Sequence, residues 1–140
     1  MSDSTVVIGL QELGARMNMF TDQVQKRTVR KAANAGAAVF QKEMRLRAPV
    51  RQDERPMGSK QRMPGYLKKH ISRRGKPTAD GGFEVQIAPL KSAFYARFLE
   101  LGTSHQGATP FMRPTFDNKT AAAEEAFATA MRNDIAELLR

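Results

Sequence analysis

The sequence predicts an α+β fold, with a long N-terminal helix and a C-terminal helix packed on a small, mainly antiparallel β-sheet and a long basic loop between elements. Three observations predict it. Apolar residues recur at helical spacing over most of the first fifty positions, a stretch near position 85 alternates apolar and polar, and the helical period returns near the end. At 140 residues and 41% hydrophobic content, the chain reads as a single domain, 1–140, large enough to bury a core.

Each element follows from local pattern. "STVVIG" reads as a short strand, Thr5 to Ile8, closed by Gly9. Leu10, Leu13, Met17, Phe20 and Val24 then fall at spacings of 3, 4, 3 and 4, one apolar stripe on a helix. Further along, Val29, Ala33, Ala37, Phe40 and Met44 share one face, while Ala32, Ala35, Val39 and Leu46 share another. A helix apolar on two sides is covered on two sides, and the small residues from Ala32 to Ala38 would let another backbone come close. Pro49 ends this helix by biasing Ala48 away from helical torsions.

Residues 50–65 carry two Pro, two Gly and four basic side chains without periodicity, and read as a loop. Beyond it, His70 to Arg74 and Phe83 to Ala88 are expected to pair as an antiparallel hairpin across "GKPTADGG", with Phe83, Val85 and Ile87 inward and Glu84 and Gln86 outward. "KSAFYARFLELG" predicts a short helix with Phe94, Phe98 and Leu101 on a common face, stopped by Gly102. After a loop from Thr103 to Thr109, a helix is expected from about Pro114, with Phe127, Met131, Ile135 and Leu138 in phase.

Charge is unevenly distributed. The formal net charge is +9, yet the span Lys26 to Lys76 holds 16 basic and 3 acidic residues, and the remainder is net acidic. Segregation by sign points to an anionic partner for the middle of the chain. Arg51, Arg55, Lys60 and Arg62 in the loop, with Lys68, Lys69, Arg73 and Arg74 after it, are the residues expected to face a lumen, DNA or an acidic neighbour. Only Tyr66 could stack on a base there, so any contact with DNA would be without sequence specificity. A non-specific DNA-binding protein acting through this segment is the alternative reading.

Enzymatic chemistry is not expected. The chain has no cysteine, which excludes disulfides and thiolate sites and suits an intracellular or virion protein. His70 and His105 lack acidic neighbours at ligand spacing, no nucleophile motif occurs, and Asp53-Glu54 and Glu124-Glu125 read as surface charge. No metal, catalytic residue or cofactor is therefore assigned. No apolar run approaches the roughly 20 residues a spanning helix needs, and the N-terminus lacks the basic start of a signal peptide, so no membrane partner is expected.

One block carries a resemblance. "YARFLELGT" followed by "PFMRPTF" resembles the signature of tailed-bacteriophage head–tail joining proteins, also called tail-completion or neck proteins. It places Tyr95, Ala96, Glu100, Gly102 and Thr103, then Pro110, Phe111 and Pro114, on the family pattern; Ala48-Pro49-Val50, Gly65, Leu67 and Ile71 extend it upstream. The segment from Val50 to Gly65 departs from the family by being longer and more basic. The resemblance implies a structural virion protein in the neck, assembled in the host cytoplasm. Its implied partners are further copies of itself in a ring of six, head-completion or connector proteins, and a tail terminator or tail tube protein, with packaged DNA passing through the lumen.

Physical roles for the block are expected too. Gly102 should take a positive φ, where a side chain would cost about 1 kcal/mol. Pro110 and Pro114 should stiffen the start of the last helix, with Phe111 as its apolar anchor. Glu100 should either accept hydrogen bonds from the Gly102-Thr103 turn or pair with Arg113. The block serves fold maintenance or contact between subunits.

Overall fold

The first helix, α1, spans Leu10–Arg47 in the computed structural model, which describes residues 10–50, 63–138 and 140, leaving aside the side chains of 10–17, 19, 20 and 23. At about 1.5 Å per residue α1 is roughly 57 Å long, the backbone of the whole architecture. It stops where Pro49 requires, with Ala48 N–H still donating to the Met44 carbonyl at 2.9 Å. The expected strand at Thr5 to Ile8 lies outside the described residues, as do the side chains of Leu10, Leu13, Met17 and Phe20; Val24 is half-buried.

A one-turn helix, α2 (Tyr66–Lys69), precedes the hairpin of β1 (Ile71–Pro77) and β2 (Phe83–Pro89). The hairpin is antiparallel with Ile71 opposite Pro89, Arg73 opposite Ile87 and Pro77 opposite Phe83. This corrects the expected boundaries: His70 precedes the strand, and β1 continues past Arg74 to Pro77. His70 is held in the turn, its ring stacked on Tyr66 at 3.7 Å between centroids and its Nδ1 2.7 Å from the Tyr66 carbonyl oxygen. Side chains alternate as the sequence implies, so that Phe83, Val85 and Ile87 are half-buried beside exposed Glu84, Gln86 and Ala88.

After a 3-10 turn at Lys91–Ala93 come α3 (Ala96–Leu101) and α4 (Met112–Leu138). α4 lies antiparallel along α1: Phe40 packs on Phe116 with ring centroids 4.6 Å apart and tilted by 39°, Gly36 faces Ala123, and Thr28 and Lys31 meet Asp134. The close approach is steric fact at Gly36, where an added Cβ would lie 3.0 Å from the Ala123 carbonyl oxygen and 3.5 Å from the Phe127 Cβ. Small residues on α1 thus do what their size permits.

The two apolar faces of α1 merge into one broad arc. Thr28, Ala32 and Gly36 turn toward α4, while Ala37, Met44 and Ala48 turn toward the hairpin and α3. Leu46 is the exception to the second face and is 63% exposed, because the arc ends before reaching it. Met44 and Ala48 form the core with Leu67, Ile71, Ala93, Ala96 and Phe111. Polar links lock the hairpin to the helix in both directions. Gln41 and Arg45 donate to the Ile71 carbonyl at 3.0 and 2.8 Å, and Arg73 donates back to the Asn34 carbonyl at 2.9 Å.

The expected stripe of α4 is not its buried face. Ile135 and Leu138 are each 45% exposed, and Asp134 is buried instead. Among the described residues α1 meets this half of α4 with Thr28 and Lys31, whose hydroxyl and ammonium both donate to the Asp134 carboxylate. These bonds, Lys31's first and Thr28's second, hold the Asp134 carboxyl below the usual range against the upward push of burial.

Candidate functional site

The signature block folds into a joint between α3 and α4. Its centre is Glu100. The carboxylate leaves α3 and reaches the N-terminus of α4, where Oε2 accepts the N–H groups of Phe111 at 2.7 Å and Met112 at 3.0 Å, and Oε1 accepts that of Arg113 at 3.0 Å. A helix begins with four N–H groups that lack partners within the helix. Here three are bonded to Glu100, and the fourth does not exist because the next residue is Pro114. The anion also sits at the positive end of the α4 dipole. Burial pushes the Glu100 pKa upward, but the bonds from Met112, Phe111 and Arg113, aided by the Arg113 charge, outweigh it and hold the group below the ordinary carboxylate range.

This geometry corrects two expectations. Glu100 does not accept from the Gly102-Thr103 turn: Gly102 N–H donates to the Phe98 carbonyl at 2.8 Å and Thr103 N–H to the Gln106 carbonyl at 2.8 Å. Glu100 binds Arg113 through the backbone N–H rather than through the guanidinium. Helix α4 begins at Met112, two residues before the expected start, because the Glu100 carboxylate can cap it there and Pro114 fits within the first turn.

Gly102 has φ 76 and ψ 172, outside the left-handed helical region and accessible essentially to glycine alone. Space forbids a side chain as well, since a Cβ there would stand 2.9 Å from the Ala108 nitrogen. Beyond it, Thr103 bridges Gln106, its Oγ1 accepting the Gln106 N–H at 3.1 Å, and Thr109 N–H returns to the Leu99 carbonyl at 2.7 Å. Both ends of this loop are therefore tied, leaving His105 exposed at its turn. Phe111 is 1% exposed and anchors the joint in the core, while Pro110 and Arg113 face solvent. Tyr95 packs against the same core, and burial, then the neighbouring Tyr66, raises its pKa despite a lowering bond to the Leu67 backbone.

The other face of α3 is bare. Phe94, Phe98 and Leu101 do share a face, and it points outward, at 66, 50 and 69% exposure. The opposite face, with Ala93 and Ala96, enters the core. A second apolar surface is concave: a groove of about 500 Å³ runs between α1, β2 and α4, lined chiefly by Ala37, Phe40, Val85, Ile87, Phe116 and Phe127. Apolar surface exposed in this way makes the α3 face and the groove candidate interaction surfaces. Sequence periodicity found the α3 face, but could not tell which side of the helix it lay on.

The basic residues divide. Arg51, Arg55, Lys60 and Arg62 lie outside the described residues. Lys69 and Arg74 are exposed and Lys68 is half-buried, whereas Arg73 is bound to the α1 backbone. Lys76 pairs with Glu84 at 3.5 Å across the hairpin, and Arg30 lies 5.3 Å from the Phe83 ring centroid. Bonds from Gln86 and then the Lys76 charge lower the Glu84 pKa. Among the described residues no group of three or more His, Asp or Glu is gathered as for a metal ion, and no helix is long and apolar enough to cross a membrane.

A model of the HK97-gp10-like family, described as a bacteriophage tail component, matches residues 11–102. The chain belongs to that family. The matched span runs from the first turn of α1 to Gly102, so it takes in the hairpin, α3 and Glu100, and stops short of the α4 N-terminus that Glu100 caps. No curated protein and no solved structure gives a significant match. Family membership makes the chain a phage structural protein of the virion.

Proposed function

We propose that this tail-component protein is a non-enzymatic neck subunit, forming a ring that joins the DNA-filled head and its connector to the tail terminator or tail tube. One observation carries the reading: a member of a phage tail-component family leaves large apolar surfaces uncovered, on α3 and in the groove, around an internally satisfied joint. Association with like or unlike subunits covers such surfaces. Exposed Lys69 and Arg74, together with Arg51, Arg55, Lys60 and Arg62, would then meet packaged DNA in the lumen or an acidic neighbouring ring, by charge and without base readout.

The test is morphological. Phage lacking this gene should yield filled heads and separate tails, and an epitope placed in the exposed Ser104–Gly107 turn should label the neck of wild-type particles. Joined, infectious particles without the gene, or label confined to the tail tip, would overturn the proposal. Tight, steeply salt-dependent DNA binding by isolated monomers would instead favour the independent DNA-binding reading.

A further inference from the structure

We propose that the ring is closed by one specific contact: the exposed α3 ridge of one copy, Phe94, Phe98 and Leu101, seats in the α1–β2–α4 groove of the next. This rests on the neck-ring reading and names the partner of its two apolar surfaces. The ridge is convex and the groove concave, and they occupy different places on the chain. The ridge belongs to a helix packed at the level of Met44 and Ala48, while the groove is lined by α1 from Ala33 to Phe40. The centres of those levels are about 14 Å apart along α1. A surface that fits a different surface of an identical chain gives head-to-tail association, which closes into a ring when the rotation allows.

Area supports a second copy as the occupant. Full burial of an aromatic side chain covers about 150–250 Å², of which Phe94 still exposes 66% and Phe98 50%; with Leu101 they would supply up to about 40% of the ~800 Å² that each side of a stable interface contributes. Charge supports it as well. Arg97 lies on α3 at the edge of the ridge, and Glu124 stands at the groove; both are exposed and neither side chain has an ion-pair partner in its own chain among the described residues. Seating the ridge brings these opposite charges to the rim of one interface, where charge fixes register.

The absence of native cysteine makes the contact directly testable by bismaleimide cross-linking of concentrated full-length protein. Arg97→Cys and Glu124→Cys chains should cross-link when mixed and not when separate, and the double variant should give a ladder ending at the ring. Adding Phe98→Asp to the Arg97→Cys chain should abolish the product, with unchanged circular dichroism and an association constant weakened about thirty-fold or more. Without cysteines, Arg97→Glu and Glu124→Arg should each weaken assembly and together restore it. Cross-linking of Arg97→Cys alone would mean ridge-to-ridge pairing and overturn the proposal. So would a ladder indifferent to Phe98→Asp, or a chain that stays monomeric and uncross-linked. None of these failures touches the neck reading, which is decided by particle morphology.

Discussion

At the α3–α4 joint the free helix-start N–H groups and the Phe111 ring find partners inside the chain; in the groove, a few turns further along the same helix α4, the apolar side chains stay partly uncovered. Glu100 takes up the free N–H groups of Phe111, Met112 and Arg113, and the Phe111 ring is fully covered. Phe116, only five residues on, is 42% exposed, and Phe127 and Ile135 follow it. The two regions share a helix and have similar residue types, so composition does not separate them. What differs is whether the apolar groups are closed over within one chain. The joint is closed within the chain, and the groove is the surface proposed for contact.

Substitutions can break this contrast in order of size. Phe111→Ala removes the buried anchor and should cost about 3–5 kcal/mol, read as a lower urea midpoint at an unchanged slope. Glu100→Ala should cost about 2–3 kcal/mol, since it leaves several N–H groups unbonded at a partly buried helix start. Its pH signature is specific. The folded pKa is depressed, so the stabilisation is complete above the unfolded-state value of about 4.3 and is lost as pH falls through the folded value. Wild type and Glu100→Ala should therefore converge in stability on acidification; a gap that stays constant would mean that the carboxylate charge is not what stabilises the joint.

Gly102→Ala should cost about 2 kcal/mol, for the strained torsion and the contact with Ala108 together. A neutral result would show that the loop shifts to accommodate the methyl group. The smallest effect belongs to the other region. Leu101→Lys lies at an exposed position and should change monomer stability by no more than about 0.5 kcal/mol while reducing self-association. Strong destabilisation of the monomer there would erase the distinction between the two regions.

Much of the joint was legible in sequence because its parts are conformational specialists. Gly102 and Pro114 declare their torsions, and Pro49 declares the end of α1. The cap itself was not legible: Glu100 and Phe111 are eleven residues apart, and nothing in periodicity says which N–H groups a carboxylate will meet. The hairpin was readable by alternation, whereas the start of β1 was displaced by a helical turn that Tyr66 and His70 stabilise by stacking. Charge counting failed at Arg73, which looks like its neighbours until the Asn34 carbonyl is in view. On α4, a polar residue at a buried position was the missed signal. Asp134 lies seven residues beyond Phe127 and so on its helical face, and α1 provides Thr28 and Lys31 to receive it.

The Glu100 clamp has a geometric consequence. It joins the helix that bears the ridge to the helix that walls the groove, and so fixes the angle between the two surfaces within one subunit. In a head-to-tail ring that angle is the step from one copy to the next, and about 12° separates six-fold from five-fold closure. In the proposed ring the three hydrogen bonds of one carboxylate would thereby act as a protractor. A loosened clamp would first be seen as rings of mixed subunit number, before any loss of folding.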